Sequence, residues 1–190
     1  PTALRLTDAD FYKLSRYIGE HYGIKLPPSK KSLLESRLAK RVRALELPDF
    51  KAYVKHVFSD EGERNELPLM IDLVTTNKTD FFREPSHFNL LEEKLLPEWE
   101  LKRRPNEELV IWSAGSSSGM ELYTFAMVLS EYGLKRFELI GSDLSRQILR
   151  DAVAAIYPAR LIDPVPAELR RKYFLRSKDR DQDMVRVVPE

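Results

Sequence analysis

The stretch from Leu109 to Asp143, "LVIWSAGSSSGMELYTFAMVLSEYGLKRFELIGSD", limits the fold more than any other part of the chain. A β-favouring run, "LVIWS", enters a turn in which Gly115 and Gly119 bracket three serines. A helical pattern follows to about Tyr132. The second run, "RFELIGSD", leads into a helix expected over Ser145–Ile156. Strand, helix and strand in this order require a crossover, which makes the two strands parallel and the connection right-handed. The class is therefore α/β. Parallel sheets bury both faces and usually hold about five or six strands. Only 34 residues follow Ile156, too few for three more strand–helix units. The α/β part is expected to be incomplete. Its open edge is expected to be covered by another chain, through self-association or exchange of elements between copies.

Glycines in a strand-to-helix turn let backbone approach a ligand, and amides at a helix N-terminus can cradle polar ligand atoms. The bland alternative is a plain turn. The spacing is not the dinucleotide G-x-G-x-x-G, and no Lys-Ser/Thr pair follows, so a P-loop is excluded. Asp143 stands 24 positions after Gly119, near the ~20-residue gap at which an acid takes ribose hydroxyls in such folds. It can equally cap the next helix. Glu121, in the first turn of the loop's helix, can reach a ribose or can simply favour the helix dipole.

The region from Thr7 to about Val74 reads as four helices. Thr7 and Asp10 resemble a capping box, with Phe11, Leu14 and Ile18 forming an apolar stripe. Gly23 ends that helix. Ser29 is expected to cap a second helix carrying Leu34, Leu38, Val42 and Leu45, and Pro48 and Asp49 to start a third. "SDEGER" reads as a turn before "NELPLMIDLV". A further helix is expected over Pro85–Trp99, then a linker, "RRPNEE". After the second strand's helix the chain holds a short helix, "AELRRKYF", and one strand in its tail. The expected boundaries are 1–76, helical; 77–105, linker and helix; and 106–190, the partial α/β domain.

Net charge is only +1, which argues against a nucleic-acid partner. The charge is nevertheless uneven. Seven basic residues between Lys25 and Arg43 face one acid, Glu35, so this segment carries +6 and the remainder −5. A basic face on a near-neutral protein points to an acidic partner, with a solvated helix face as the plain alternative. Without cysteine there is no disulfide, thiolate metal site or cysteine nucleophile. No apolar run approaches the ~18 residues that span a bilayer, and "PTALRLTDAD" has no signal-peptide core. These features fit a cytoplasmic protein, and the absent initiator Met suggests a chain cut from a longer one. No membrane insertion or metal site is expected.

The segment "TTNKTDFFREPSHF" and the loop "WSAGSSSGMELY" together resemble the CheR-type chemotaxis receptor methyltransferases, which carry TTN-x-T-x-FFRE-x-x-HF and WSAG-x-S-x-G-E-E-P-Y in this order. "ESRLAKRVRALEL" and "IYPARLIDPVPAELRRKYF" are also similar to that family, so the resemblance covers nearly the whole chain. It implies a helical receptor-binding domain followed by a partial Rossmann-like S-adenosylmethionine-dependent methyltransferase domain, truncated at its C-terminus. It implies methylation of glutamate side chains on the cytoplasmic helices of chemoreceptors, releasing S-adenosylhomocysteine. By motif match, Asn77, Thr79, Arg83, Gly115, Glu121 and Asp143 would hold or border the cofactor, with Arg83 as the catalytic residue. Arg37, Lys40, Arg41 and Arg43 would meet the acidic methylation helices of the receptor. His87 is expected to be structural.

Two departures stand out. Met120 and Leu122 replace an acid and a proline of the family's loop, and the family's later elements have no counterpart before Glu190. They favour a second reading, a catalytically inactive methyltransferase-like module that binds a signalling partner. A third reading, an unrelated nucleotide-binding dehydrogenase, lacks G-x-G-x-x-G and would leave the TTN…FFRE segment unexplained.

Overall fold

The computed structural model describes residues 4–179 and 182–188. The chain divides into two compact units, one of Pro1–Thr76 with Leu144–Arg146, the other of Asn77–Asp143 with Gln147–Glu190. Among the described residues, no helix is long and apolar enough to cross a membrane.

Among the described residues the first unit holds five α-helices: α1 (Asp8–Tyr22), α2 (Lys31–Ala44), α3 (Phe50–Val57), α4 (Asp60–Asn65) and α5 (Leu67–Val74). The Thr7 side chain accepts from the Asp10 amide and donates to its carboxylate, and Gly23 closes α1 in the left-handed conformation. Asp49 caps α3 by accepting from the Ala52 amide. Ser29 does not cap α2: Pro28–Lys30 forms a 3-10 turn that runs straight into the helix. The "SDEGER" segment is not a turn but α4, because Ser59 caps it and its first turn carries Asp60, Glu61 and Glu63 beside the positive helix end. Its glycine has another purpose. A Cβ on Gly62 would lie 1.9 Å from the His56 carbonyl oxygen, so glycine lets α3 and α4 meet. The apolar stripes of α1, α2, α3 and α5 converge on Leu14, Ile18, Leu38, Val42, Tyr53 and Met70, all fully buried.

The second unit begins with α6 (Pro85–Leu90), a π-helical stretch over Leu91–Leu95, and α7 (Leu96–Lys102). The single helix expected there is thus divided. Pro97 lacks an amide hydrogen and crowds the preceding turn, and the turn before it widens so that the Leu96 amide reaches Leu91. Strands β1 (Leu109–Ala114) and β2 (Phe137–Ser142) then flank α8 (Met120–Tyr132), which Gly133 terminates, and α9 (Arg146–Ala154) follows. β1 and β2 pair in parallel, Leu109 opposite Phe137 and Ala114 opposite Ser142. Leu109, Ile111, Phe137 and Leu139 pack with Phe88, Leu91, Val128 and Leu129. The alternate residues Val110, Trp112 and Ile140 are 53%, 67% and 42% exposed, so that face of the two-stranded sheet is uncovered.

The tail differs from the expected single strand. β3 (Ile156–Pro158), β4 (Phe174–Arg176) and β5 (Met184–Val187) form an antiparallel sheet in the order β3-β5-β4, with α10 (Ala167–Tyr173) leading into β4. β3 and β4 have three residues each, too few to show alternation in sequence. Phe81 anchors this sheet, meeting Tyr157 and Phe174 edge-on at ring separations of 5.2 Å.

Candidate functional site

The C-terminal ends of β1 and β2 meet at the Gly/Ser loop, where crevices of open α/β sheets form. The loop needs unusual backbone at three positions: Gly115, Ser117 and Gly119 have φ of 90°, 51° and 82°. Gly115 is exposed, and a Cβ there would meet nothing within 4 Å. Its positive φ therefore serves the turn and leaves open space above it.

Four amides of the loop are committed within the protein. The amides of Gly115 and Ser116 both donate to the Ser142 carbonyl, at 2.7 and 2.9 Å. The Ser117 amide donates to Asp143 Oδ2 at 2.9 Å, and the Gly119 amide to the Ser116 carbonyl. The loop turns these donors inward to tie β1 to β2. Two carboxylates lie beside the loop. Glu121, exposed in the first turn of α8, accepts at 2.8 Å from the hydroxyl of buried Ser113 at the end of β1. Asp143, half-buried, continues β2. Two acids thus stand at adjacent strand ends, each fixed by a donor from the β1 side.

A third segment closes on this loop. The Ser117 hydroxyl donates to the Asn77 carbonyl at 3.1 Å, bringing the start of "TTNKTDFFRE" to the loop. Asn77 and Thr79 are half-buried. Phe82 and Glu84 carry φ of 53° and 55°. Such backbone costs of order 1–3 kcal/mol per residue and persists where surroundings impose it. One such restraint is the Thr124 hydroxyl, which accepts from the Phe82 amide at 3.2 Å. Arg83 is exposed, and its guanidinium donates to the Lys78 carbonyl at 2.9 Å, folding back on its own segment.

Two residues central to this arrangement were not evident in the sequence. Ser117 was one of three like serines until its two bonds distinguished it. Tyr157, on β3, donates to the Ser118 carbonyl at 2.6 Å from a buried position, and burial raises its pKa so that it remains a donor. Met120 and Leu122, the departures in the loop, are packing residues. Met120 is buried with Phe81, Met127 and Tyr157, and Leu122 lies where a Cβ on Gly141 would come within 2.5 Å of its Cδ1.

In the helical unit, the four basic residues expected at a partner surface separate into two pairs. Lys40 and Arg43 are exposed. Arg41 is spent on the interior: its Nε and Nη2 donate to the two carboxylate oxygens of Glu66 at 2.9 and 2.6 Å. Glu66 is only 2% exposed and also accepts from the Tyr53 hydroxyl at 2.9 Å. The hydrogen bond to Glu66 raises the pKa of Arg41. Arg37 Nη1 donates to the Leu73, Val74 and Thr75 carbonyls at 3.2, 2.7 and 3.1 Å.

A parallel β-α-β unit with paired acids at the strand ends defines a Rossmann-like domain of the kind that binds nucleosides, here joined to a helical domain. Comparison with known proteins narrows the class. Residues 77–188 match the family model for the CheR methyltransferase SAM binding domain, and residues 9–75 that for the CheR methyltransferase all-alpha domain. The chain belongs to the CheR methyltransferase family. It is 34% identical to a chemotaxis protein methyltransferase of Borreliella burgdorferi over 93% of its length. It is 36% identical to chemotaxis protein methyltransferase 2 of Pseudomonas aeruginosa over 97%, and 33% identical to the chemotaxis protein methyltransferase of Escherichia coli over 98%. In each case the match spans 64% of the relative's own length.

Proposed function

We propose that this chain takes part in S-adenosylmethionine-dependent methylation of glutamate side chains on chemotaxis receptors, in the cytoplasm. One observation carries the reading beyond family membership: the amides of Gly115, Ser116, Ser117 and Gly119 donate within the protein, while the carboxylates of Glu121 and Asp143 are held at the ends of β1 and β2. That chemistry fits a ligand with hydroxyl donors and positive charge. The dehydrogenase reading is disfavoured by the absence of G-x-G-x-x-G from the loop.

S-adenosylmethionine, when bound, supplies an electrophilic methyl group together with its leaving group. Asp143 and Glu121 would accept from ribose hydroxyls and nearby groups of the cofactor, Gly115 would leave room above the turn, and Asn77 and Thr79 would border it. A glutamate side chain is already ionised at neutral pH, with a reference pKa of about 4.3, so the chain needs no general base. Its task is alignment. Arg83, resting on the Lys78 carbonyl, is the side chain we assign to orienting the incoming carboxylate. Residues 1–76 form the receptor-recognition domain in this reading, with exposed Lys40 and Arg43 facing the acidic methylation helices. Among the described residues β1 and β2 pair only with each other; the open edge of this sheet is proposed to be covered by a second copy, and a monomer by sedimentation at high concentration would exclude this.

Calorimetric titration with S-adenosylmethionine and S-adenosylhomocysteine, beside an Asp143→Ala variant, tests the assignment. Binding that the variant loses by tenfold or more supports it; a charge-assisted hydrogen bond of about 1.5–3 kcal/mol accounts for that loss. A folded chain that binds neither compound favours the inactive binding module instead.

A further inference from the structure

Arg83 stands between two residues in the left-handed region, Phe82 and Glu84. Such backbone turns the chain sharply, and a residue as bulky as phenylalanine adopts it only where its surroundings impose it. Phe82 is held on two sides. Its ring meets that of Phe88 at 5.7 Å, while the preceding Phe81 is buried against Tyr157 and Phe174. Its amide donates to the hydroxyl of Thr124 at 3.2 Å. Thr124 is fully buried on α8, and the same hydroxyl donates to the Met120 carbonyl one turn back at 2.7 Å. A hydroxyl has one proton and two lone pairs. With its proton directed at Met120, the lone pairs have a fixed orientation, and one of them receives Phe82. Back-bonding of this kind slightly destabilises a helix, so the use of this hydroxyl lies outside α8.

From these contacts we infer that Thr124 is a positioning residue for Arg83: its oriented hydroxyl holds the Phe82 backbone in the left-handed conformation, and so sets the direction in which Arg83 leaves the chain. Downstream, α6 begins at Pro85 and brings Phe88 back to the ring of Phe82, so residues 82–84 are restrained from both ends. The guanidinium of Arg83 then reaches the Lys78 carbonyl at 2.9 Å. Every residue in this chain of contacts belongs to the second compact unit. Thr124 acts through the Phe82 amide, from a buried position. The assignment rests on the proposed function only in its consequence for the cofactor; the backbone effect stands apart from it.

The hydroxyl and the methyl group of Thr124 can be removed separately, and the test uses the whole chain with both variants. Thr124→Val keeps the shape and loses the hydroxyl; Thr124→Ser keeps the hydroxyl and loses the methyl. Two quantities are read: backbone amide and Arg83 guanidinium resonances of the unliganded protein, and affinity for S-adenosylhomocysteine. Thr124→Val is expected to move the amide signals of residues 82–84 and the guanidinium signals of Arg83. It should weaken binding by about threefold to tenfold, the fold-change of one lost hydrogen bond. Thr124→Ser should keep both close to the wild type. A side chain that only fills space gives the reverse order, serine disturbing the segment and valine not, and that order overturns the inference. So does a folded Thr124→Val protein whose amides at residues 82–84 coincide with the wild type. If Thr124→Val does not fold, Thr124→Ala compared with Thr124→Ser isolates the hydroxyl, with the same signals expected to move in the alanine variant alone. Moved signals in a chain that binds S-adenosylhomocysteine as the wild type does, or not at all, support the positioning role and refute only its extension to the cofactor.

Discussion

Replacing Arg41 by methionine separates an internal role from a surface one. The carboxylate of Glu66 is 2% exposed and accepts three hydrogen bonds, two of them from Arg41 and one from Tyr53. Removing the guanidinium leaves a buried carboxylate with the Tyr53 hydroxyl and no counter-charge. Breaking a buried ion pair in this way costs about 3–5 kcal/mol. Arg41 itself is 26% exposed, and water reaching the vacated site should soften the loss, so we expect about 3 kcal/mol. With a urea slope of about 1–3 kcal/mol/M, the midpoint falls by 1 M or more. Exposed Arg43→Ala should change stability by less than about 0.5 kcal/mol. Urea unfolding followed by far-UV ellipticity reads the loss. Tryptophan fluorescence recorded in parallel follows the second unit, since Trp99 and Trp112 both lie beyond Thr76. An Arg41→Met protein within about 0.5 kcal/mol of the wild type would refute the reasoning and return Arg41 to the partner surface.

Two further outcomes follow from the packing. Gly62→Ala places a methyl group 1.9 Å from a backbone oxygen that no rotamer can move; we expect at least the ~1–3 kcal/mol of ordinary overpacking, read as a lower melting temperature, whereas a neutral alanine would mean that α4 can shift. Glu131 joins α8 to α10 by accepting from Lys172 and Tyr173, both at 2.6 Å, and these hydrogen bonds, that of Lys172 first, lower its pKa from the ordinary 4.5. A lowered folded pKa means stability present above the unfolded value and lost as pH falls through the folded one, so Glu131→Gln should lose stability at neutral pH and flatten the acid limb below about 4.5. Parallel acid limbs in variant and wild type would show that the contact contributes nothing.

What could be read from the sequence was local or periodic. The Thr7 and Asp49 caps each depend on a residue three positions away. β1 and β2 are long enough to declare themselves, and the TTN…FFRE segment pairs with the loop by motif alone. Pairings distant in sequence were hidden. A helix rich in arginine reads as a basic face, because nothing near residue 41 announces a buried acid at residue 66, nor anything near residue 37 the carbonyls at 73–75. β3 and β4 owe their pairing to β5, up to 30 positions later. The helix α4 has almost no apolar face, so its sequence resembles a turn although caps and first-turn acids make it a helix.

The Gly/Ser loop shows why a motif's composition says less than its hydrogen-bond accounts. Glycines and serines after a strand suggest an anion cradle, yet four of the loop's amides lead to acceptors within the protein. Gly115 and Ser116 share one carbonyl of β2, and Ser117 takes Asp143. Beside these committed donors, Glu121 and Asp143 carry negative charge. A phosphate 4 Å from either carboxylate would meet a repulsion of about 4 kcal/mol at an effective dielectric constant near 20, while a sulfonium at the same distance would gain as much. Hydroxyl groups would find acceptors already held in place by Ser113 and Ser117. In the proposed reading this turn would favour a cationic, hydroxyl-bearing nucleoside over a phosphate, because the amides of Gly115, Ser116 and Ser117 point inward.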